Sequence, residues 1–141
     1  MPTTWLRRCL PVLPLVLALG CGDSSQPPVP VTGKITYRGL PLQNGTIVFT
    51  PDPRKGSSGN MAMGEIKADG TYSLRTGRDF GAAPGHYRIT IAAVLGSPPS
   101  PGQPYTYQPS LLPEKYRDPE LSGLFCEVKG GFAQALDFNL D

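Results

Sequence analysis

The sequence predicts an all-β fold, an antiparallel β-sandwich of about seven strands, and three observations carry that prediction. Short runs of residues alternate apolar and polar with a period of two, the signature of a half-buried strand. Glycine and proline, 17 each in 141 residues, punctuate those runs at turn positions. No stretch shows convincing helical periodicity. For a chain of this size, such a pattern favours two packed sheets over a small barrel.

Residues 1–20 come first and read as a secretory signal. Arg7 and Arg8 give a positive start, residues 10–19 form an uncharged apolar run, and small Gly20 precedes Cys21. The run is shorter than the roughly 20 residues that span a bilayer, and Pro11 and Pro14 weaken it as a membrane helix, so a cleaved signal is expected. Leu17-Ala18-Leu19-Gly20-Cys21 resembles the lipobox of bacterial lipoproteins, although Ala18 stands where that family usually has leucine. The resemblance implies cleavage before Cys21, diacylglycerol on its sulfur and acylation of the new amino terminus. Two or more acyl chains anchor stably where one binds marginally. An exported, membrane-anchored protein facing the periplasm or cell surface is therefore expected. Gly22, in place of aspartate, points to the outer membrane.

Cleavage also changes the charge. It removes two arginines and no acid, leaving a mature chain of 121 residues with eleven cations and eleven anions. No basic run survives to suit nucleic acid or to form a polybasic membrane patch. Of the three cysteines, Cys9 leaves with the signal and Cys21 takes lipid. Cys126 remains, expected as a small core hydrophobe in a strand.

Residues 21–30 read as a Pro-rich tether and 31–141 as the domain. Val29, Val31, Ile35 and Tyr37 share one parity of a first strand, with Gly33 as the expected site of a bulge. A turn at 38–45 leads to a strand at 46–50, with Ile47 and Phe49 inward, which Pro51 and Pro53 end. A weaker strand at 61–67 should form a hairpin with 71–76 through Asp69-Gly70. The clearest strand follows Pro84-Gly85, with Tyr87, Ile89, Ile91 and Ala93 on one face and His86, Arg88 and Thr90 on the other. Residues 96–122 form a Pro-rich connection, long enough to be functional or mobile. Two final strands, 124–129 and 135–140, should pair across Gly130-Gly131.

Several of these segments together resemble carboxypeptidase-regulatory-like, transthyretin-like domains. The residues are Val31-Thr32-Gly33-Lys34-Ile35-Thr36-Tyr37-Arg38-Gly39, Gly45-Thr46-Ile47-Val48-Phe49, Asp69-Gly70-Thr71-Tyr72 and Pro84-Gly85-His86-Tyr87-Arg88-Ile89-Thr90-Ile91. Pro113-Glu114-Lys115-Tyr116 is similar to a segment of small bacterial lipoproteins that carry this domain. The resemblance implies a prealbumin-like or immunoglobulin-like sandwich. It implies no activity, since a fold alone does not supply one.

The mature chain has one histidine, His86, and no spare cysteine, so neither a His- or Cys-based zinc site nor another cofactor is expected. A hydrolase using His86 would need a nucleophile that no G-x-S-x-G elbow supplies. Hydroxyisourate hydrolases of related fold use several histidines and a Tyr-Arg-Gly-Ser-like tail, whereas this chain ends Phe138-Asn139-Leu140-Asp141. Asp52, Asp69, Asp79, Asp118 and Glu120 are scattered rather than grouped as a calcium loop, and Asp69 belongs to its turn. Tyr105, Tyr107 and Tyr116 are the candidate binding side chains. They either meet a partner or fold back over a sheet edge. The expectation is a non-catalytic, lipid-anchored envelope module that binds or assembles with a protein. A carbohydrate-binding accessory module is the alternative, and a hydrolase using His86 a remote one.

Overall fold

Alternating sequence becomes alternating burial. The computed structural model describes residues 26–96, 101–102 and 108–141. The expected signal, Cys21 and the tether up to residue 25 lie outside the described residues. The strands are β1 (Val31–Tyr37), β2 (Leu40–Pro41), β3 (Thr46–Pro51), β4 (Ala62–Glu65), β5 (Thr71–Ser73), β6 (Arg75–Thr76), β7 (Asp79–Phe80), β8 (Gly85–Ala92), β9 (Phe125–Val128), β10 (Gln134–Ala135) and β11 (Phe138–Leu140). Seven of these have three residues or more. Among the described residues the only helical segments are two short 3-10 turns, Pro53–Lys55 and Glu114–Arg117.

The strands form the two expected sheets. One has the order β7-β6-β4-β3-β8-β9 and is antiparallel throughout. The other is built around β1, with β2 and β5 antiparallel on one side and β10 and β11 on the other. The sandwich is not wholly antiparallel, because β10 and β11 run parallel to β1. Inward side chains of both sheets meet at Phe49. Its ring lies 5.8 Å from Tyr87 in its own sheet, and 6.4 and 6.1 Å from Tyr72 and Phe138 of the other. The Phe138 contact is edge-on at 81°, a geometry that aromatic quadrupoles favour. The buried phenols keep hydrogen-bond partners, as buried hydroxyls must: Tyr72 donates to the Leu136 carbonyl at 2.6 Å and Tyr87 to that of Ala83 at 2.7 Å.

Both expected hairpins part into different sheets. The Asp69-Gly70 turn forms, and the Asp69 carboxylate accepts from the Thr71 amide at 3.0 Å and hydroxyl at 2.6 Å. However, β4 stays in the six-stranded sheet while β5 pairs with β1. Buried Leu74 is the crossing point. Its amide donates to Val31 and its carbonyl accepts from Gly81, so one residue hydrogen-bonds on both sides of the crossover. Likewise, the Gly130-Gly131 turn passes from β9 in one sheet to β10 in the other. Alternation predicts which face is buried but carries no information on the partner strand.

Three smaller expectations are also corrected. Gly33 is not a bulge, because β1 keeps a single register against β10 and β11. A Cβ there would lie 1.9 Å from the Leu136 carbonyl oxygen and 2.8 Å from the Tyr72 ring. β3 runs one residue beyond 46–50, with Pro51 paired to Tyr87 as its last residue. The tether is shorter than residues 21–30, since Val29 is buried and exchanges two hydrogen bonds with Ala82.

Gly33→Ala should cost roughly 3 kcal/mol or more, because the clash is with backbone that cannot rotate away. Urea unfolding measures it, and a change below 1 kcal/mol, about the size of the ordinary glycine-to-alanine backbone effect, would contradict the close approach.

Candidate functional site

In β3 and β4 one parity is spent on the core: Ile47, Phe49 and Ala62 are fully buried. The opposite parity faces outward, and there the register lines up one side chain from each of five strands. Phe80 pairs with Arg75, Arg75 with Met63, Met63 with Val48, and Val48 with Thr90. Met63 is 50% exposed and Phe80 65%, with Met61 exposed beside them. The Arg75 guanidinium carbon sits 4.3 Å from the Phe80 ring centroid, a cation–π arrangement that covers one ring face. A groove runs over this surface, and Lys67, Arg75 and Arg78 line it with a single carboxylate, Glu65. Its upper rim is braced by Asn44, whose side chain donates to the Gly96 carbonyl at 3.0 Å and accepts from the Val94 amide at 3.3 Å.

The other half of the same sheet face is covered. Arg88 also points outward, yet it is only 6% exposed. Its Nε lies 3.2 Å from the buried Asp52 carboxylate, off line for a hydrogen bond, and its other arm binds Glu120. Exposed Arg54 adds a 3.0 Å contact to Glu120. Burial pushes the Asp52 pKa up, but the Arg54 amide at 3.1 Å and the Arg88 guanidinium hold it lower still, and the net effect is a depressed value. The same carboxylates raise the pKa of Arg88 against its own desolvation.

The second half of the long connection returns over the edge of β8. β9 pairs only with Gly85 to Arg88. Beyond that point the Ile89 amide donates to Leu124, the Leu111 amide to Ala93, and the Leu95 amide to Pro109. Tyr116, a candidate for partner contact, is instead part of the core. It is 4% exposed, and its hydroxyl accepts from the Asp141 amide at 3.2 Å. A ring so enclosed has no face to offer a ligand. Tyr105, Tyr107 and Cys21 lie outside the described residues.

His86 is half-buried, and its backbone amide donates to the Ser57 hydroxyl at 2.7 Å. Cys126 is partly buried against the core beside Tyr87, and burial pushes its thiol up to about 12, far from the thiolate that nucleophilic chemistry requires. Among the described residues no three His, Cys, Asp or Glu side chains converge as metal ligands, and no helix is long and apolar enough to cross a membrane. The sequence did contain a signal for the open face: Met61 and Met63 are apolar on the parity opposite Ala62 and Ile66, so this strand is apolar on both sides. The chain has no significant match to a family model, a curated protein or a solved structure.

The Asp52 shift predicts a pH dependence. Folding lowers this pKa, so its stabilising contribution is complete above the ordinary value of 3.8 and is lost as pH falls through the lower folded value. Urea unfolding from about pH 5 to pH 2 should show the wild type losing stability steeply. Asp52→Asn should be less stable at neutral pH, since Arg88 loses a counter-charge, and flatter in acid. Parallel pH profiles would contradict the assignment.

Proposed function

We propose that this chain is a non-catalytic β-sandwich, exported and held at a membrane through lipidated Cys21, that binds a protein partner of the cell envelope. The observation that carries the reading is the outward row of exposed Phe80, Arg75 and Met63 with half-buried Val48, on a sheet face that no other element covers among the described residues. Methionine, arginine and phenylalanine are residue types enriched in protein interfaces. Methionine in particular adapts to irregular apolar partners. The three cations against one carboxylate suit a partner surface with apolar side chains flanked by acids. A glycan is a poorer fit, because Arg75 already covers one face of Phe80, the only exposed aromatic ring in the row.

The lipobox residues support the anchor and the compartment. Tyr105 and Tyr107 keep a place in the proposal, because Gly96, from which the long connection departs, is on the groove rim. Tyr116 does not.

Cross-linking in native membranes followed by mass spectrometry tests the reading. A discrete protein should be captured by the wild type, and Met63→Glu should reduce its capture roughly tenfold, as burial of an unpaired charge at an interface centre does. The variant should keep its thermal midpoint, since Met63 points away from the core. Undiminished capture by folded Met63→Glu would remove the open face from the binding site. A lack of any stoichiometric protein, with saturable binding of an envelope polysaccharide, would favour the glycan alternative.

A further inference from the structure

The pole where the chain enters the domain carries an exposed aromatic with no role in the core or in the open groove. Gln26 is placed against the Gly130 turn. A Cβ on Gly130 would lie 3.2 Å from the Gln26 side-chain oxygen and 3.4 Å from the Pro84 ring. Phe132, at the tip of that turn, is 59% exposed. Beside it is a shallow recess lined by Pro27, Pro30, Pro84 and Ala133. The turn is held firmly in place. Gln134 donates from its side chain to the Lys129 carbonyl at 2.6 Å and accepts from the Lys129 amide at 3.0 Å, while its own amide donates to Pro30 at 2.9 Å. Phe132 is thus presented outward on a braced support.

Chain length then limits what this pole can face. Five residue steps separate Cys21 from Gln26, and at about 3.6 Å each they reach at most about 18 Å. A lipid on the Cys21 sulfur therefore keeps the Phe132 pole within the depth of the headgroup region and its adjoining water. The open groove's rim at Asn44 and Gly96 is near Val94, past the end of β8, whereas Pro84 precedes its beginning. Strand β8 spans eight residues, or about 26 Å at 3.3 Å each, so the rim stands well away from the entry pole.

We propose that Phe132 and the proline-lined recess beside it dock on the lipid surface, inserting the ring among the headgroups and orienting the domain so that its groove rim points away from the bilayer. This rests on the lipid-anchor reading of Cys21. Apolar rings at a membrane surface gain from leaving water, and the anchor supplies the high local concentration that a single ring needs.

The test uses the full chain, exported and processed, reconstituted into phosphatidylcholine–phosphatidylglycerol vesicles. The sole tryptophan, Trp5, precedes Cys21, so the processed wild type should lack tryptophan emission and Phe132→Trp would supply the only indole. Brominated phosphatidylcholine should quench that variant at least roughly twofold, with a blue-shifted emission, as expected for a ring in the interface. Leu95→Trp, exposed beside the groove rim, should stay unquenched. Unquenched Phe132→Trp on vesicles that still float the protein would overturn the docking and leave the anchor standing. Equal quenching of both variants would overturn the orientation, and a chain that fails to float, with Trp5 emission retained, would overturn the anchor and the docking together.

Discussion

A guanidinium out of water, on the side of a sheet that would ordinarily face solvent, sets the plan of this molecule. Arg88 cannot remain buried without counter-charges, because an unpaired buried ion is among the costliest defects a fold can contain. Asp52 supplies one counter-charge from the end of β3, and Glu120 brings the other from the far end of the long connection. Satisfying Arg88 therefore requires the chain near residue 120 to lie across β8. That covers one half of the outer face and, among the described residues, leaves Met63 and Phe80 of the other half exposed.

The inner side of the sandwich obeys a different constraint, namely close packing around Phe49. Four rings from both sheets meet there, and the backbone must approach closely enough to enclose them. Gly33 permits that approach between β1 and the last strand pair, where the Tyr72 hydroxyl donates to the Leu136 carbonyl and the Asp137 carboxylate accepts from the Lys34 amide of β1. Leu74 then carries the chain between sheets with both of its main-chain groups bonded. Since β1 pairs with the final strands, the amino-terminal entry and the Gly130 turn share one pole, and the groove rim is left at the other.

Much of the fold was legible in the chain. The parity of Val31 and Ile35, of Ile47 and Phe49, and of Tyr87, Ile89 and Ile91 identifies the core side of each strand, and the structure buries all of them. Asp69-Gly70 and Gly130-Gly131 do mark turns. The role of Tyr116 was legible only as a choice between partner contact and edge cover, and its burial decides for packing. The candidate face was hidden because its members come from four separate strands. Only pairing registers bring Phe80, Arg75, Met63 and Val48 into one row.

By itself the sequence determined the local terms: which stretches are extended, which parity is apolar, which dipeptides turn, and that Cys21 closes a lipobox-like segment. These depend on residues close together in the chain. The tertiary structure alone decided which sheet each strand joins, that β10 and β11 run parallel to β1, and that an outward arginine is buried while outward methionines are not. Those outcomes rest on contacts between distant residues, such as Arg88 with Glu120 or Phe49 with Phe138. A period-two pattern is satisfied equally by any partner strand, and only packing and charge compensation among all of them select one.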